Sequence, residues 1–252
     1  MLLSYLKYLF AARTKHAIHS PFVFDFVTRV LNDNRIYPCY EKVEILRKQM
    51  LRDKREINFN DLGTGISGKR RISDLAGGSL ISEKYAQLLF RIANHYRPEN
   101  ILELGTSLGL STGYLAFAET ARKIVTIEGS EEVAAKARAN FENLKLETIK
   151  LIIGNLDNVL DQSIHILPAL DLVFFDANHR YTPTINYFKT CLTKKTENSI
   201  FIFDDINWSA EMQKAWREIK LHPDVTVTID IYRMGIVFFH KNQAKEHFII
   251  RF

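Results

Sequence analysis

The run Glu103-Leu104-Gly105-Thr106-Ser107-Leu108-Gly109 sets two glycines four apart behind an acidic residue. Glycine tolerates left-handed backbone angles and lets the chain pass close to a ligand, so such a turn suits the cradling of a nucleotide-like molecule. A dinucleotide cradle carries a further glycine between these two, because backbone amides and a helix N-terminus must grip a pyrophosphate. Ser107 stands in that place here, and an acid at the end of the preceding run suits an amine or a hydroxyl better than a phosphate. Glu128, followed by Gly129, closes the next apolar run, where an acidic side chain takes ribose hydroxyls. Two more runs close on Asp176, with His179 three residues on, and on Asp204-Asp205. Clustered carboxylates repel one another unless a cation or protons intervene, and hard oxygen donors suit Mg2+. An imidazole accepts a proton near neutral pH, so His179 beside Asp176 reads as a base for a hydroxyl proton.

Those residues need strands that end together and helices that carry the chain back. Beyond Pro98 the runs "NILEL", "KIVTIE", "IKLIIG", "LDLVFFD", "SIFIFDD", "VTVTIDIY" and "GIVFFH" alternate with helical or polar stretches. Continuous apolar runs interleaved with helices belong to a parallel sheet covered on both faces. The last two runs are separated only by "RM" and so form an antiparallel hairpin. The expected fold is therefore α/β, Rossmann-like, with a seven-stranded mostly parallel sheet and a C-terminal antiparallel hairpin. Residues 84–252 form that domain, and 1–83 form an N-terminal helical extension. In the extension Ser20 caps a helix opened by Pro21, and Phe22, Val23, Phe26, Val27 and Val30 make its apolar stripe. His16 and His19 read as packing and capping residues. "EKVEILRKQMLRDK" is a more charged helix, and Tyr85, Leu88, Leu89, Ile92, Ala93 and Tyr96 share the face of another.

A second glycine loop, "FNDLGTGISG" at 59–68, has a weak lead-in, a short exit and no acid-tipped strand after it. It reads as a basic loop, or as a lid that turns Lys69, Arg70 and Arg71 toward an anionic acceptor. The N-terminal stretch puts Leu2, Leu3, Leu6, Leu9 and Phe10 on one helical face, interrupted by Lys7, and is too short to span a bilayer. It is expected to pack on its own domain or on a sister subunit, which makes a homodimer through the N-terminal helices an expectation and a membrane partner not one.

At 252 residues, 46% hydrophobic and 25% charged, the chain has the composition of a globular protein, and a formal charge of +5 is too mild to call for nucleic acid. Cys39 and Cys191 are the only cysteines, without metal-type spacing, so a reducing, cytoplasmic setting is expected.

S-adenosylmethionine has an ammonium and a ribose diol but no phosphate, which matches this pattern of acids. From about residue 84 to 240 the chain resembles class I S-adenosylmethionine-dependent methyltransferases, and within them the small-molecule O-methyltransferases of the catechol, caffeoyl-CoA and macrocin types. "LELGTSLGLSTGYLA", "VTIEGSEEVAAKARANF", "DLVFFDANHRY" and "FIFDDINW" carry the resemblance in order. It implies that Glu103, Gly105 and Gly109 line the methionine side, Glu128 binds the ribose and Asn155 lies near the adenine, with Thr106, Ser107, Gly129 and Asp176 also among the cofactor-binding residues. It implies a Mg2+ site at Asp176, Asp204 and Asp205, although the catechol type has Asn in place of Asp205 and only the macrocin type resembles the pair. Adjacent strand residues point to opposite faces, so Asp205 joins such a site only if the chain turns there. His179 stands where the catechol and caffeoyl-CoA types carry a catalytic lysine, and the macrocin type a histidine. Tyr181 and Trp208 are aromatic residues for the wall of a small-molecule acceptor. The alternatives are an RNA or protein methyltransferase and a non-catalytic S-adenosylmethionine-binding protein. "DANH" lacks the Pro-Pro-aromatic signature of base N-methylating relatives, and no basic-aromatic stripe for single strands is present.

Overall fold

The computed structural model describes residues 2–14, 18–60, 65, 67–118 and 123–252, with side chains from Ser4 onward. His16, and Asp61 to Thr64 with Ile66 in the first glycine loop, lie outside the described residues. The chain forms two compact units, Asp33–Leu167 and Met1–Asn32 with Pro168–Phe252. The expected division at 83/84 falls inside the first unit, because residues 33–83 pack with the glycine-turn half of the chain while 1–32 join its C-terminal part.

In helix α1 (Leu2–Ala11) two residues of the leucine face the sequence suggests, Leu6 and Phe10, point to solvent. Tyr8 is buried, its hydroxyl donating to the Ile250 carbonyl at 2.6 Å. Tyr5 and Tyr8 lie 4.9 and 5.3 Å from the Tyr232 ring. Tyrosine suits this contact because it buries a ring and still satisfies its hydroxyl. Helix α2 (Pro21–Phe26) follows expectation: the Ser20 hydroxyl accepts from the Val23 N–H, Pro21 occupies the first turn, and a π-turn over Val27–Leu31 extends the buried stripe.

The Asp33–Leu167 unit runs α3 (Pro38–Arg52), β1 (Glu56–Asn60), β2 (Ser67–Arg71), α4 (Ile72–Ser79), α5 (Glu83–Tyr96), β3 (Asn100–Leu104), α6 (Leu110–Ala116), β4 (Lys123–Glu128), α7 (Glu131–Asn143), β5 (Ile149–Ile153) and α8 (Leu156–Ile164). Strands β3, β4 and β5 are neighbours in that order and parallel. Ile101, Leu102, Leu104, Ile124, Val125 and Ile127 are all buried, as strands covered on both faces require. Helix α5 buries Leu88, Leu89, Ile92 and Ala93 and stops at Arg97, whose φ of 56° turns the chain ahead of Pro98. Of the stretch read as a loop, residues 67–71 form strand β2, antiparallel to β1, and 72–79 form α4; five exposed residues hid the strand from a reading based on apolar alternation.

The remaining unit adds β6 (Leu170–Phe175), α9 (Tyr181–Leu192), β7 (Lys195–Phe203), α10 (Ala210–Leu221), β8 (Val227–Asp230), β9 (Gly235–Phe238) and β10 (Glu246–Ile249). Its strand order is β10-β8-β9-β7-β6. β6 and β7 are parallel, and β9 is antiparallel to both β7 and β8, which gives the expected C-terminal hairpin. β10, parallel to β8, is a strand the sequence reading did not anticipate; it is short and half-exposed, with little apolar signal. Together these elements make the mostly parallel, Rossmann-like α/β architecture. Among the described residues no helix is long and apolar enough to cross a membrane.

Candidate functional site

In the Asp33–Leu167 unit, β3 delivers Glu103 and then a turn in which Gly105, Ser107 and Gly109 have φ of 97°, 48° and 82°. A left-handed serine where a dinucleotide motif has glycine costs about 1–2 kcal/mol, and such strain concentrates at functional turns. The turn is tied to the next strand: the Gly105 and Thr106 N–H groups donate to the Ile127 carbonyl at 3.0 and 3.1 Å. Its Ser107 N–H donates to Glu128 Oε2 at 2.8 Å, while Glu128 Oε1 accepts from the Ser130 N–H at 2.9 Å. The acid expected to meet a ribose is thus aimed by two backbone amides, with Gly129 half-buried between them. Thr106 faces inward, its hydroxyl 2.6 Å from that of Thr126, so only its backbone borders the turn.

Glu103 is fully buried. One carboxylate oxygen, Oε2, takes the hydroxyls of both Thr112 and Thr126, while Oε1 has no hydrogen-bond partner among the described residues. Burial, only partly opposed by the neighbouring hydroxyls, pushes its pKa up to about 7. Asn155 is the N-cap of α8, its Oδ1 accepting the Asp157 N–H at 3.0 Å. Gly109 answers to packing as much as to a ligand: a Cβ there would sit 2.5 Å from Phe141 Cε1 and 3.3 Å from Ala137 Cβ. Gly109→Ala is expected to lower stability by about 2 kcal/mol in urea denaturation, from left-handed strain plus overpacking against α7.

Sequence reasoning missed the partners that β1 and α4 bring to this turn. The Asn58 N–H donates to Glu132 at 2.6 Å, the Asn60 N–H donates to the Ser130 hydroxyl at 3.4 Å, and the Ser79 and Ser107 hydroxyls lie 3.1 Å apart. Strand β1, which leads into the first glycine loop and pairs with β2, is therefore fastened beside the residues that follow Glu128. Exposed polar strands give no periodic signal from which that could be read.

In the other unit, Asp176 follows β6 and Asp204-Asp205 follow β7. Asn178, His179 and Asp205 all have left-handed φ, of 69°, 36° and 52°. The chain does turn at Asp205, as joint action of the pair requires. His179 is half-buried, its Nε2 3.6 Å from Asp176 Oδ1. The aspartates, however, meet a cation from the chain. Arg233, in the β8–β9 hairpin, donates from Nε to Asp204 Oδ1 at 2.9 Å and from Nη2 to Oδ2 at 2.8 Å, and its Nε lies 3.6 Å from Asp205 Oδ1. Asp204 is completely buried. Burial alone would lower the Arg233 pKa, but Asp204, Asp205 and Asp176 outweigh it and raise the pKa. The Asp205 carboxyl is raised by burial and by Asp204, against Arg233 and His179.

Among the described residues no three His, Cys, Asp or Glu side chains are placed to hold a metal ion. At the position expected of a Mg2+ ligand, both Asp204 oxygens are already engaged by an arginine that carried no motif. The Tyr181 hydroxyl donates to Glu218 and its ring lies 3.9 Å from Lys214 Nζ, both on α10. Trp208 is exposed just after the aspartate pair, its N–H donating to the Asp205 carbonyl at 2.9 Å.

A family of methyltransferase domains matches residues 102–206. A catechol O-methyltransferase from Niastella koreensis is 28% identical over 126 residues, 49% of this chain and 55% of that protein, so the match spans little more than half of the relative. The O-methyltransferase from Bacillus cereus, solved in complex with S-adenosylhomocysteine, superposes with a TM-score of 0.59 at 20% identity, covering 86% of this chain and 97% of that one. An O-methyltransferase from Streptomyces achromogenes involved in tomaymycin synthesis, solved with S-adenosylmethionine, gives 0.61 at 16% identity, covering 85% and 95%. The chain has the fold of the S-adenosylmethionine-dependent O-methyltransferases.

Proposed function

We propose, from the methyltransferase domain at 102–206 and the fold around it, that the protein is an S-adenosylmethionine-dependent O-methyltransferase acting on a small-molecule hydroxyl. The observation that carries the reading is Glu128, whose two carboxylate oxygens are held by the Ser107 and Ser130 amides, so that the glycine turn and the acid for a ribose diol form one rigid unit. The buried Oε1 of Glu103, unpartnered among the described residues, fits the same cofactor, because the ammonium of its methionine end would supply a donor. Gly105, Thr106, Ser107 and Gly109 would follow the methionine chain, Gly129 the ribose, and Asn155 the adenine. When bound, the cofactor would supply an electrophilic methyl on a sulfonium, and the acceptor oxygen would form a C–O bond to it in line as the C–S bond broke and its electron pair left on sulfur.

The chain's own task is to make the acceptor oxygen nucleophilic. The His179 imidazole would take the hydroxyl proton, with Asp176 Oδ1, 3.6 Å from its Nε2, stabilising the imidazolium that forms. The left-handed backbone at Asn178 and His179 holds the ring in this place, and Trp208 supplies an exposed flat surface for an acceptor. Calorimetry with S-adenosylmethionine, S-adenosylhomocysteine and NAD, followed by methyl transfer to a panel of hydroxyl acceptors, tests the reading. Saturable uptake of the two sulfur nucleosides, with NAD ignored, is expected. On a productive acceptor, His179→Ala should lower kcat about a hundredfold while leaving cofactor affinity in place. No uptake of either nucleoside would end the proposal. Uptake without transfer to any acceptor would favour a binding protein, and a salt-dependent shift of RNA would favour a macromolecular target.

A further inference from the structure

We infer that Arg233 is a positioning residue that takes the place of a divalent cation among Asp176, Asp204 and Asp205. The inference deepens the methyltransferase reading and rests on it only for the reaction served; the claim about the cation stands on geometry alone. Three carboxylates at adjoining strand ends need positive charge, and a metal would answer that need with several open coordination positions. The Arg233 fork instead closes on both oxygens of Asp204, a side chain with no solvent exposure, and reaches Asp205 at 3.6 Å. A bidentate guanidinium–carboxylate pair uses the in-plane lone pairs that a metal would need. The hairpin that presents Arg233 is itself fastened there: the Ile206 N–H donates to the Arg233 carbonyl at 3.0 Å, and the Asn207 amide donates to the Tyr232 carbonyl at 2.7 Å. Those bonds clamp the segment after Asp205 onto the turn that carries the guanidinium, so the charge sits at a fixed point rather than on a mobile side chain.

Two consequences follow for the reaction. With the guanidinium in the cation's place, the acceptor proton leaves by way of a protein base rather than through a metal-bound water. The acceptor is also recognised by hydrogen bonds and shape, so a vicinal diol gains no chelate advantage over a single hydroxyl.

The test is direct metal binding. Mn2+ is titrated into the full chain and followed by electron paramagnetic resonance of the free ion, with Mg2+ and EDTA followed by thermal shift. For the wild type the expected result is no saturable uptake and a Tm unmoved by either ion or by the chelator. Stoichiometric Mn2+ uptake by the wild type, lost in Asp204→Asn, would overturn the inference. Arg233→Met should gain Mn2+ uptake and a Tm that rises with the ion, while Arg233→Lys, which keeps the charge, should stay indifferent to metal. A folded Arg233→Met that remains equally indifferent overturns the role given to the guanidinium; should that variant not fold, the wild-type titration decides. S-adenosylmethionine calorimetry on the same preparations keeps the two readings apart, because a protein that takes up the nucleoside and Mn2+ fails only the present inference.

Discussion

Arg233→Met is expected to lower the free energy of unfolding by about 3–5 kcal/mol, the cost of leaving a buried carboxylate without its partner. Asp204 has no exposure to water and takes its donors from the Arg233 fork, so no solvent stands ready to replace the guanidinium. Methionine has a similar reach and keeps the packing of the stem, which confines the change to charge and hydrogen bonding. Urea denaturation of the wild type, Arg233→Met, Asp204→Asn and the double variant forms a cycle. The double variant should recover a large part of the loss, since removing both charges ends the desolvation penalty together with the attraction. A single-variant loss below about 1 kcal/mol, the range of an exposed pair, would mean that the contact is ornamental.

The second large effect belongs to Glu103. Its carboxyl is raised from 4.5 to about 7, so between those values the folded chain binds more protons than the unfolded one. Stability therefore falls as pH rises through that window and levels off above it, a loss of about 3 kcal/mol in all. Glu103→Gln carries no ionisable group there. Its cofactor-free form should show no contribution of this kind and should be more stable than the wild type at about pH 8, by roughly 1–2 kcal/mol once the cost of burying an amide is offset. Cofactor binding should respond in the opposite sense. The ionised carboxylate is the form that attracts an ammonium, so wild-type affinity for S-adenosylmethionine should rise up to tenfold per unit of pH until about pH 7. The variant should bind weakly with little of that slope. Equal slopes in both proteins would remove Glu103 from contact with the cofactor.

Much of the fold is legible in the chain because it is written in short-range patterns. Parallel strands buried on both faces show as unbroken apolar runs, and "NILEL", "KIVTIE" and "LDLVFF" coincide with β3, β4 and β6 to within a residue or two. Glycines at positive φ and a Ser-Pro helix start are likewise local requirements, which is why the turn at 105–109 and α2 could be placed in advance. Elements with no apolar period escaped: β2 is exposed at every residue, and β10 is too short to carry a pattern. In α1 the leucines set the visible periodicity, while Tyr5 and Tyr8 make ring contacts that the periodicity does not announce.

By itself the sequence determined which residues end each strand, and hence that Glu103, Glu128, Asp176, His179, Asp204 and Asp205 stand at strand ends, where ligand chemistry is done. Only the tertiary structure decided what meets them. Glu128 received two backbone amides, Glu103 was left with one oxygen unpartnered among the described residues, and Asp204 was matched with an arginine from a distant hairpin where a metal had been expected. The reason is physical: the position of an acid along a strand follows from local backbone geometry, whereas the charge that balances it is chosen by contacts between segments far apart in the chain.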